Sequence, residues 1–222
     1  MYNNKGKISK CVIYGDSIST TDFSRGGYQQ LLKDHLNIGE MINYAVSASG
    51  TAPSTPNSVY EKIIENEKIE EDADLIIVWS GTNDWYWNVE LGDIDNFSEN
   101  TYCGAMRKCL LTLTERCETA NIITMTPIAR WQAPDGMTID GDAHYYKNKA
   151  GHTLYEYSEM LEKLTAAIGI PMCDMRRLSG INIKNKDIYL RDNVHPSRLG
   201  YLRIAEIIAA FTNNLSFIKN DE

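Results

Sequence analysis

Short apolar runs alternate with helix-like segments along the 222-residue chain, and this alternation constrains its fold more than any other feature. Five of the runs have the length of β-strands, and each is apolar almost throughout rather than at every second residue. Strands of that kind are buried on both faces, which is typical of a parallel sheet covered by helices. The sequence therefore predicts an α/β protein with five parallel strands, at residues 10–14, 41–46, 74–79, 121–127 and 171–175.

Apolar residues recur at spacings of three and four between these runs, which predicts five amphipathic helices. The best delimited helix begins with a capping box at Thr153 and ends at Gly169. A second capping box begins at Ser58, and Ser98 is the candidate N-cap of the third helix. The apolar stripes are Tyr28, Leu31, Leu32, His35 and Leu36; Val59, Ile63 and Ile64; Tyr102, Met106, Cys109, Leu110 and Leu113; Leu154, Tyr157, Leu161, Leu164 and Ile168; and Leu199, Leu202, Ala205, Ile208 and Ala209.

Composition and charge limit the class of protein. Hydrophobic residues make up 43% of the chain and charged residues 23%, as in ordinary globular domains. The formal net charge of −8 disfavours binding to nucleic acid or to an anionic membrane. No apolar run approaches the ~18 residues of a membrane span, and the start MYNNKGKISK lacks the apolar region of a signal peptide. We therefore expect a cytoplasmic protein with one domain over residues 1–222.

The five cysteines and four histidines show no metal-ligand spacing. The cysteines are odd in number and scattered, so we expect buried, reduced thiols rather than disulfides or a zinc site. His35 lies on a helix stripe and is expected to be partly buried. His144 and His152 fall in a long segment without periodicity, 130–152, where exposure at the surface is the expectation. The chain is thus predicted to hold no metal.

Polar motifs follow the predicted strands. GDSIS (15–19) follows the first strand, SASGT (47–51) the second and GTND (81–84) the third, whereas DNVH (192–195) precedes the last helix. The carboxyl ends of parallel strands lie along one edge of the sheet, so these motifs are expected to meet in one crevice. There they would supply what acyl transfer requires, namely a nucleophile, a base, a carboxylate that orients the base, and oxyanion donors. The candidates are Ser17, His195, Asp192, and the pair Gly50 and Asn83, with Asp16 as the alternative carboxylate.

These motifs, in this order, resemble the SGNH hydrolases, the GDSL family of esterases and lipases. The resemblance covers residues 10 to about 213 and implies a flavodoxin-like, three-layer α/β/α sandwich with a five-stranded parallel sheet and no cofactor. It implies that Ser17 attacks the ester, that His195 is the base, and that Asp192 orients His195. It also implies an oxyanion hole made by the N–H groups of Ser17 and Gly50 and the side-chain amide of Asn83. The second motif departs from the family pattern, which often has another glycine where this chain has Ala45 or Ser47, so Ser49 in the same turn is the alternative to Gly50 as the donor.

The substrate class is less constrained than the reaction. The run WYW (85–87) follows Asn83 directly, so Trp85 and Trp87 are candidates for an aromatic platform, or alternatively for local packing. The favoured interpretation is a serine esterase for a small-molecule or carbohydrate ester, such as an O-acetyl group. A lysophospholipase or thioesterase for longer acyl chains is the alternative within the enzymes, and a non-catalytic flavodoxin-like binding module is the alternative outside them. The sequence leaves the oligomeric state open.

Overall fold

A five-stranded, all-parallel sheet forms the centre of the computed structural model, which describes residues 8–20, 26–95 and 97–215. The strands are β1 (Lys10–Gly15), β2 (Glu40–Asn43), β3 (Leu75–Trp79), β4 (Asn121–Met125) and β5 (Met172–Cys173). Their order is β2-β1-β3-β4-β5, the doubly wound arrangement in which the strand order reverses between β1 and β3. Ligands of such sheets bind outside the carboxyl ends of the strands at that point.

All five predicted strands are present, but four of them are shorter than predicted, and only the first reaches its predicted length. The second strand ends at Asn43, whose side chain accepts a hydrogen bond from the N–H of Ala45. Beyond it, the N–H groups of Tyr44 and Val46 still donate to the Ile13 and Gly15 carbonyls. The last strand ends at Cys173, since the side chain of Asp174 already caps the next helix through the N–H of Arg177. The apolar runs therefore include the first residues of the turns that follow the strands.

Helices cover both faces of the sheet, as the alternation predicted. They are α1 (Gln29–Leu36), α2 (Thr82–Tyr86), α3 (Tyr102–Arg116), α4 (Leu154–Ile168), α5 (Met175–Leu178), α6 (Lys186–Tyr189) and α7 (Arg198–Asn213), with a π-helical turn at Glu61–Glu65 and a 3₁₀ turn at Ala143–Tyr145. The side chains of Val12 and Tyr14 point into one core, beneath α3 and α4, and those of Cys11 and Ile13 point into the other, beneath α1 and α7. The predicted α/β/α sandwich is confirmed.

The predicted helix boundaries are partly confirmed. Thr153 forms the capping box of α4, and Gly169 ends the helix in the left-handed conformation. The prediction for Ser98 is wrong, because the hydroxyl of Thr101 accepts the N–H of Gly104 and so caps α3. The backbone of Ser98 instead packs directly against Gly104 in the first turn of the helix. A Cβ at Gly104 would lie 2.1 Å from the Ser98 carbonyl oxygen, so no larger residue fits there.

Some individual burial predictions were also wrong. His35 is exposed, because the buried face of α1 is made by Gln29 and Leu32. Leu199 is exposed on α7, whose buried face begins directly after it, at Gly200 and Tyr201. The five cysteines are buried and unpaired, as expected.

Candidate active site

The GDSIS motif forms a tight turn directly after β1. Gly15 ends the strand where no side chain fits, since a Cβ there would lie 2.9 Å from both the Ser19 hydroxyl and the Trp79 carbonyl oxygen. The carboxylate of Asp16 accepts the N–H of Ile18 at 2.9 Å, and the Asp16 carbonyl accepts the N–H of Ser19 at 2.9 Å. This turn holds Ser17 at the carboxyl edge of the sheet, in a fixed and largely buried position.

The DNVH motif forms a second turn, between α6 and α7. Leu190 and Pro196 pair across its base, and Asn193 takes the left-handed conformation at its tip, with φ 68°. One oxygen of Asp192 accepts the N–H groups of Val194, at 3.2 Å, and of His195, at 2.7 Å. The backbone of the motif therefore places the carboxylate beside the imidazole that it precedes by three residues.

The two turns meet at the edge of the sheet. The Nε2 atom of His195 lies 2.8 Å from the Ser17 hydroxyl, and its Nδ1 atom lies 2.8 Å from Oδ2 of Asp192. Partial burial alone would raise the pKa of Asp192, but the hydrogen bonds and charge of His195 outweigh it, so the pKa is lowered. Asp192 is therefore ionised at neutral pH. The three side chains form one line of hydrogen bonds from carboxylate to hydroxyl.

Asp16 has a different environment from Asp192, although it adjoins Ser17. Its carboxylate is buried and bonds the backbone of its own turn, and burial raises its pKa to about 7 despite the N–H of Ile18 and the charge of Arg130. Both ring nitrogens of His195 already contact other side chains, Asp192 and Ser17. Asp16 is therefore placed to hold the turn rather than the imidazole.

Asn83 reaches the same edge from α2, a five-residue helix that begins soon after β3. Gly81 precedes this helix with φ 125°, packed so closely on Tyr102 that a Cβ would lie 3.0 Å from the phenol oxygen. The amide nitrogen of Asn83 donates to the Ser49 carbonyl at 3.0 Å, and its oxygen lies 3.4 Å from Nη1 of Arg130. These two contacts fix which end of the amide is the nitrogen.

The structure does not place Gly50 as predicted. Its N–H donates to the Thr55 hydroxyl at 3.1 Å, inside the protein, so Gly50 is directed away from the cleft. The residues of this turn that line the cleft are Ser47 and Ala48, and Ala48 takes the left-handed conformation with φ 65°. Among the residues that the structure describes, the Ala48 N–H makes no hydrogen bond to the protein.

The two candidate tryptophans separate onto opposite sides of α2. Asn83, Tyr86 and Trp87 lie at spacings of three and four and face the cleft. Trp85 faces the core instead, is fully buried, and donates its indole N–H to the His152 carbonyl at 3.0 Å. The prediction that Trp85 contacts substrate is therefore wrong, and the aromatic wall consists of Tyr86 and Trp87.

Arg130 is the residue of this site that sequence reasoning missed. It follows β4 at the same edge, is 3% exposed, and stacks on Tyr86 with 4.7 Å between guanidinium carbon and ring centre. Its Nη1 atom contacts the carbonyl and hydroxyl oxygens of Thr82, both at 3.2 Å, and its Nη2 atom contacts Gln132 at 2.8 Å. The position soon after a predicted strand was the available signal, because an arginine there shares an edge with the other motifs.

Together these side chains surround a cleft of about 280 Å³. Its lining residues are Ser17, Ser47, Ala48, Asn83, Tyr86, Trp87, Arg130, Gln132, Val194 and His195. Within the described ranges, no group of three or more His, Cys, Asp or Glu side chains could hold a metal ion, and no helix is long and apolar enough to cross a membrane.

The segment 130–152 begins beside the cleft, with Arg130 and Gln132, and the expectation that His144 is exposed is wrong. His144 is buried rather than exposed, because its ring packs against Asp142 with Nδ1 3.1 Å from Oδ1. The segment also contains local structure, the 3₁₀ turn Ala143–Tyr145, capped by Asp142. His152 is partly exposed.

The sequence profile of the GDSL-like lipase/acylhydrolase family matches residues 13–203, a range that includes Ser17, Asn83 and His195. The chain belongs to this family. The predicted resemblance is thereby confirmed, and the family supports hydrolysis of esters as the general activity. A search of curated protein sequences found no match.

Solved structures share the fold of this GDSL-like protein at low sequence identity. A protein from Lactobacillus plantarum is 22% identical, with a TM-score of 0.82 over 95% of this chain and 99% of the other. A lipase/acylhydrolase from Enterococcus faecalis is 17% identical, with a TM-score of 0.60 over 96% and 100%. Axe2, an acetylxylan esterase from Geobacillus stearothermophilus, is 16% identical, with a TM-score of 0.62 over 97% and 100%. These similarities establish the fold.

Proposed function

We propose that this protein is a serine esterase in which Ser17, His195 and Asp192 form the catalytic triad. The observation that carries the proposal is the line of hydrogen bonds from Asp192 through His195 to Ser17, with both contacts of the imidazole at 2.8 Å. A nucleophile, a base and an orienting carboxylate within hydrogen-bond distance are what acyl transfer requires. Membership of an ester-hydrolysing family supports the same reaction.

The geometry suggests the following steps. The Ser17 oxygen attacks the ester carbonyl carbon while His195 Nε2 accepts the hydroxyl proton, and Asp192 stabilises the imidazolium. The tetrahedral intermediate expels the alcohol oxygen, which takes the proton back from Nε2, and Ser17 carries the acyl group. Water then loses a proton to Nε2 and attacks the acyl-enzyme. The Ser17 oxygen leaves with that proton, releasing the carboxylic acid and restoring the enzyme.

For the oxyanion hole we propose the N–H of Ser17, the side-chain amide of Asn83 and the N–H of Ala48. Ala48 takes the role that the sequence assigned to Gly50, because Ala48 lines the cleft whereas the Gly50 N–H bonds Thr55. A positive φ at Ala48 supports this assignment, since a non-glycine residue in that conformation is unfavourable and marks a backbone fixed by its surroundings. Donors held in place before the reaction stabilise the oxyanion without reorganisation.

Arg130 is proposed as a positioning residue that acts through Asn83. Its guanidinium contacts the amide oxygen of Asn83, while the Ser49 carbonyl accepts from the amide nitrogen. A flipped amide would bring two donors together at Arg130 and two acceptors together at Ser49. The two contacts thus keep the amide nitrogen on the side of the cleft where the oxyanion would form.

A double-mutant cycle tests this coupling. Asn83→Ala should lower kcat by about 10²–10³, the usual effect of losing one oxyanion donor. We expect Arg130→Met, which keeps the apolar stem against Tyr86, to lower kcat by about 10–100-fold in the wild type but by less than about threefold in the Asn83→Ala protein. Steady-state kinetics of the four proteins measures the non-additivity. Gln132→Met is the matched control, since Gln132 contacts the guanidinium but not Asn83, and fully additive effects would refute the coupling.

The substrate proposed is an ester with a short acyl group, such as an O-acetyl group on a carbohydrate. The cleft of about 280 Å³ lies just below the usual range of volumes for ligand sites, and Tyr86 and Trp87 occupy one wall. A short acyl group fits beside Ser17, and the aromatic wall offers a surface for the ring of the alcohol.

The proposal is tested with p-nitrophenyl esters from acetate to decanoate, beside an acetylated oligosaccharide. We expect kcat/KM to fall as the acyl chain lengthens past butyrate, because the cleft holds no long apolar channel among its lining residues. Labelling with a fluorophosphonate tests the reactivity of Ser17 without a substrate. Rising activity toward decanoate would instead assign the protein to the lysophospholipases or thioesterases, and the absence of labelling would argue against an esterase of any kind.

A further inference from the structure

A second and larger cavity, of about 480 Å³, lies at the same edge of the sheet and shares no lining residue with the cleft. Its floor is formed by the ends of β4 and β5, through Thr126, Met172 and Asp174. One wall is a single face of α4, and the other comprises α5 and residues 180–182. The four α4 residues are Tyr155, Ser158, Glu159 and Glu162, spaced three and four apart.

Beside the floor, Asp142, His144 and Arg176 form a hydrogen-bonded group, in which His144 and Arg176 also line the cavity. Asp142 bonds Arg176 at 2.5 Å, and the same carboxylate lies 3.1 Å from Nδ1 of His144, which is 4% exposed. Burial lowers the pKa of His144, so we assign a neutral ring that donates from Nδ1 to Asp142, leaving Nε2 as an acceptor. Asp142 thereby holds the side chains of Arg176, a donor, and of His144, an acceptor, in the lining of the cavity.

Two polar atoms of His144 and Arg176 have no hydrogen-bond partner within the described part of the chain. They are Nε2 of His144, an acceptor, and Nη1 of Arg176, a donor, and both are shielded from bulk solvent. Buried polar atoms in native proteins are rarely left unpaired, so each such atom requires an explanation. Both atoms belong to residues that line the cavity. A ligand hydroxyl could pair with either kind of atom, because it can both donate and accept.

The charges of the lining do not favour a strongly charged ligand. Three carboxylates, those of Glu159, Glu162 and Asp174, line the cavity together with the guanidiniums of Arg176 and Arg177. Arg176 is paired with Asp142, and Arg177 lies 3.2 Å from Asp174. An anion would meet the carboxylates and a cation would meet the guanidiniums, whereas neutral hydroxyl groups can bond both.

Two exposed tyrosines complete the lining. Tyr145 is 78% exposed and Tyr155 is 53% exposed, and both contribute ring surface to the cavity beside Met172 and Ile181. Aromatic faces next to dense hydrogen-bonding groups suit a ligand that is apolar on its ring faces and polar at its edge. We propose that this second cavity binds a neutral saccharide. The proposal does not depend on ester hydrolysis.

The test is binding of unacetylated tetrasaccharides of xylose, glucose and mannose to the full-length Ser17→Ala protein. We expect at least one to bind with a millimolar Kd in titrations to about 10 mM, and to shift the backbone amide resonances of residues 144, 159 and 176. Replacing both Tyr145 and Tyr155 by alanine should weaken binding by about tenfold or more. Phe97→Ala is the matched control, because that ring is 70% exposed, stacks on Arg107 and lies outside the cavity.

The remaining measurements separate this cavity from the cleft. With Ser17 intact, the double tyrosine variant should hydrolyse p-nitrophenyl acetate at the wild-type rate. Loss of saccharide binding on Trp87→Ala, with no loss in the double tyrosine variant, would place the saccharide in the cleft and overturn the proposal. The proposal is equally overturned if none of the three tetrasaccharides binds the folded protein, or if spermidine or inorganic phosphate binds the cavity residues more tightly than any of them. Because hydrolysis is absent in the binding assay, failure here leaves the proposed esterase activity unaffected.

Discussion

Ser17→Ala should lower kcat for p-nitrophenyl acetate by about 10⁴–10⁶, because the acyl-enzyme can no longer form and the imidazole is left without a nucleophile to activate. The side chain lost is small, and the turn that holds it is bonded through Asp16, Ile18 and Ser19 rather than through the Ser17 hydroxyl. The free energy of unfolding should therefore change by less than about 1 kcal/mol. Steady-state kinetics with urea denaturation measures both quantities.

Ser19→Ala is the matched control for this substitution. Ser19 lies in the same turn, and its hydroxyl contacts Tyr28 at 3.0 Å instead of His195. We expect Ser19→Ala to alter stability modestly and to retain fluorophosphonate labelling, whereas Ser17→Ala abolishes the labelling. Wild-type turnover by a pure Ser17→Ala protein would exclude Ser17 as the nucleophile.

Asp192→Asn should lower kcat by about 10³–10⁴, although the side chain keeps its shape. An amide in place of the carboxylate no longer holds the proton on Nδ1 of His195, so the ring loses the tautomer in which Nε2 accepts from Ser17, and the imidazolium loses its counter-charge. Because the pKa of Asp192 is lowered, this counter-charge is present in the wild type throughout the neutral range. The measurement is kcat for p-nitrophenyl acetate at neutral pH.

Asp16→Asn provides the comparison that decides between the two carboxylates. Asp16 is buried with a pKa raised to about 7, and its oxygen accepts a backbone N–H that an asparagine oxygen can also accept. We expect a loss of about tenfold or less. A larger loss for Asp16→Asn than for Asp192→Asn would reverse the assignment of the orienting acid.

The parts of this protein that could be predicted from sequence are those that depend on periodicity and on strand ends. Apolar runs locate buried strands, and parallel topology then places their carboxyl ends together, so the motifs of Ser17 and Asn83 could be expected at one edge from the sequence alone. His195 lies in a turn between two helices, and its pairing with Ser17 was predicted from the order of the motifs. The capping box at Thr153 was equally predictable, since its two hydrogen bonds are local. The single-domain and cytoplasmic assignments stay predictions.

The errors arise where a side chain's direction depends on backbone detail. The short helix α2 was not predicted, and without its phase Trp85 could not be distinguished from Trp87. The turn 47–51 contains a glycine, which drew attention to Gly50, but its left-handed residue in the cleft is an alanine. Arg130 lies in a segment that resembles a surface loop, and its contacts with Thr82, Asn83 and Tyr86 show that it belongs to the site.

The 178 residues that separate Ser17 from His195 have a consequence for the newly made protein. During synthesis the serine leaves the ribosome early, just after the first strand, whereas the imidazole is added near the end and is positioned by the turn that leads into the last helix. Until that helix docks beside α1, the nascent chain carries a hydroxyl with no proton acceptor next to it. The proposed pair of nucleophile and base is therefore assembled only when the last helix completes the fold.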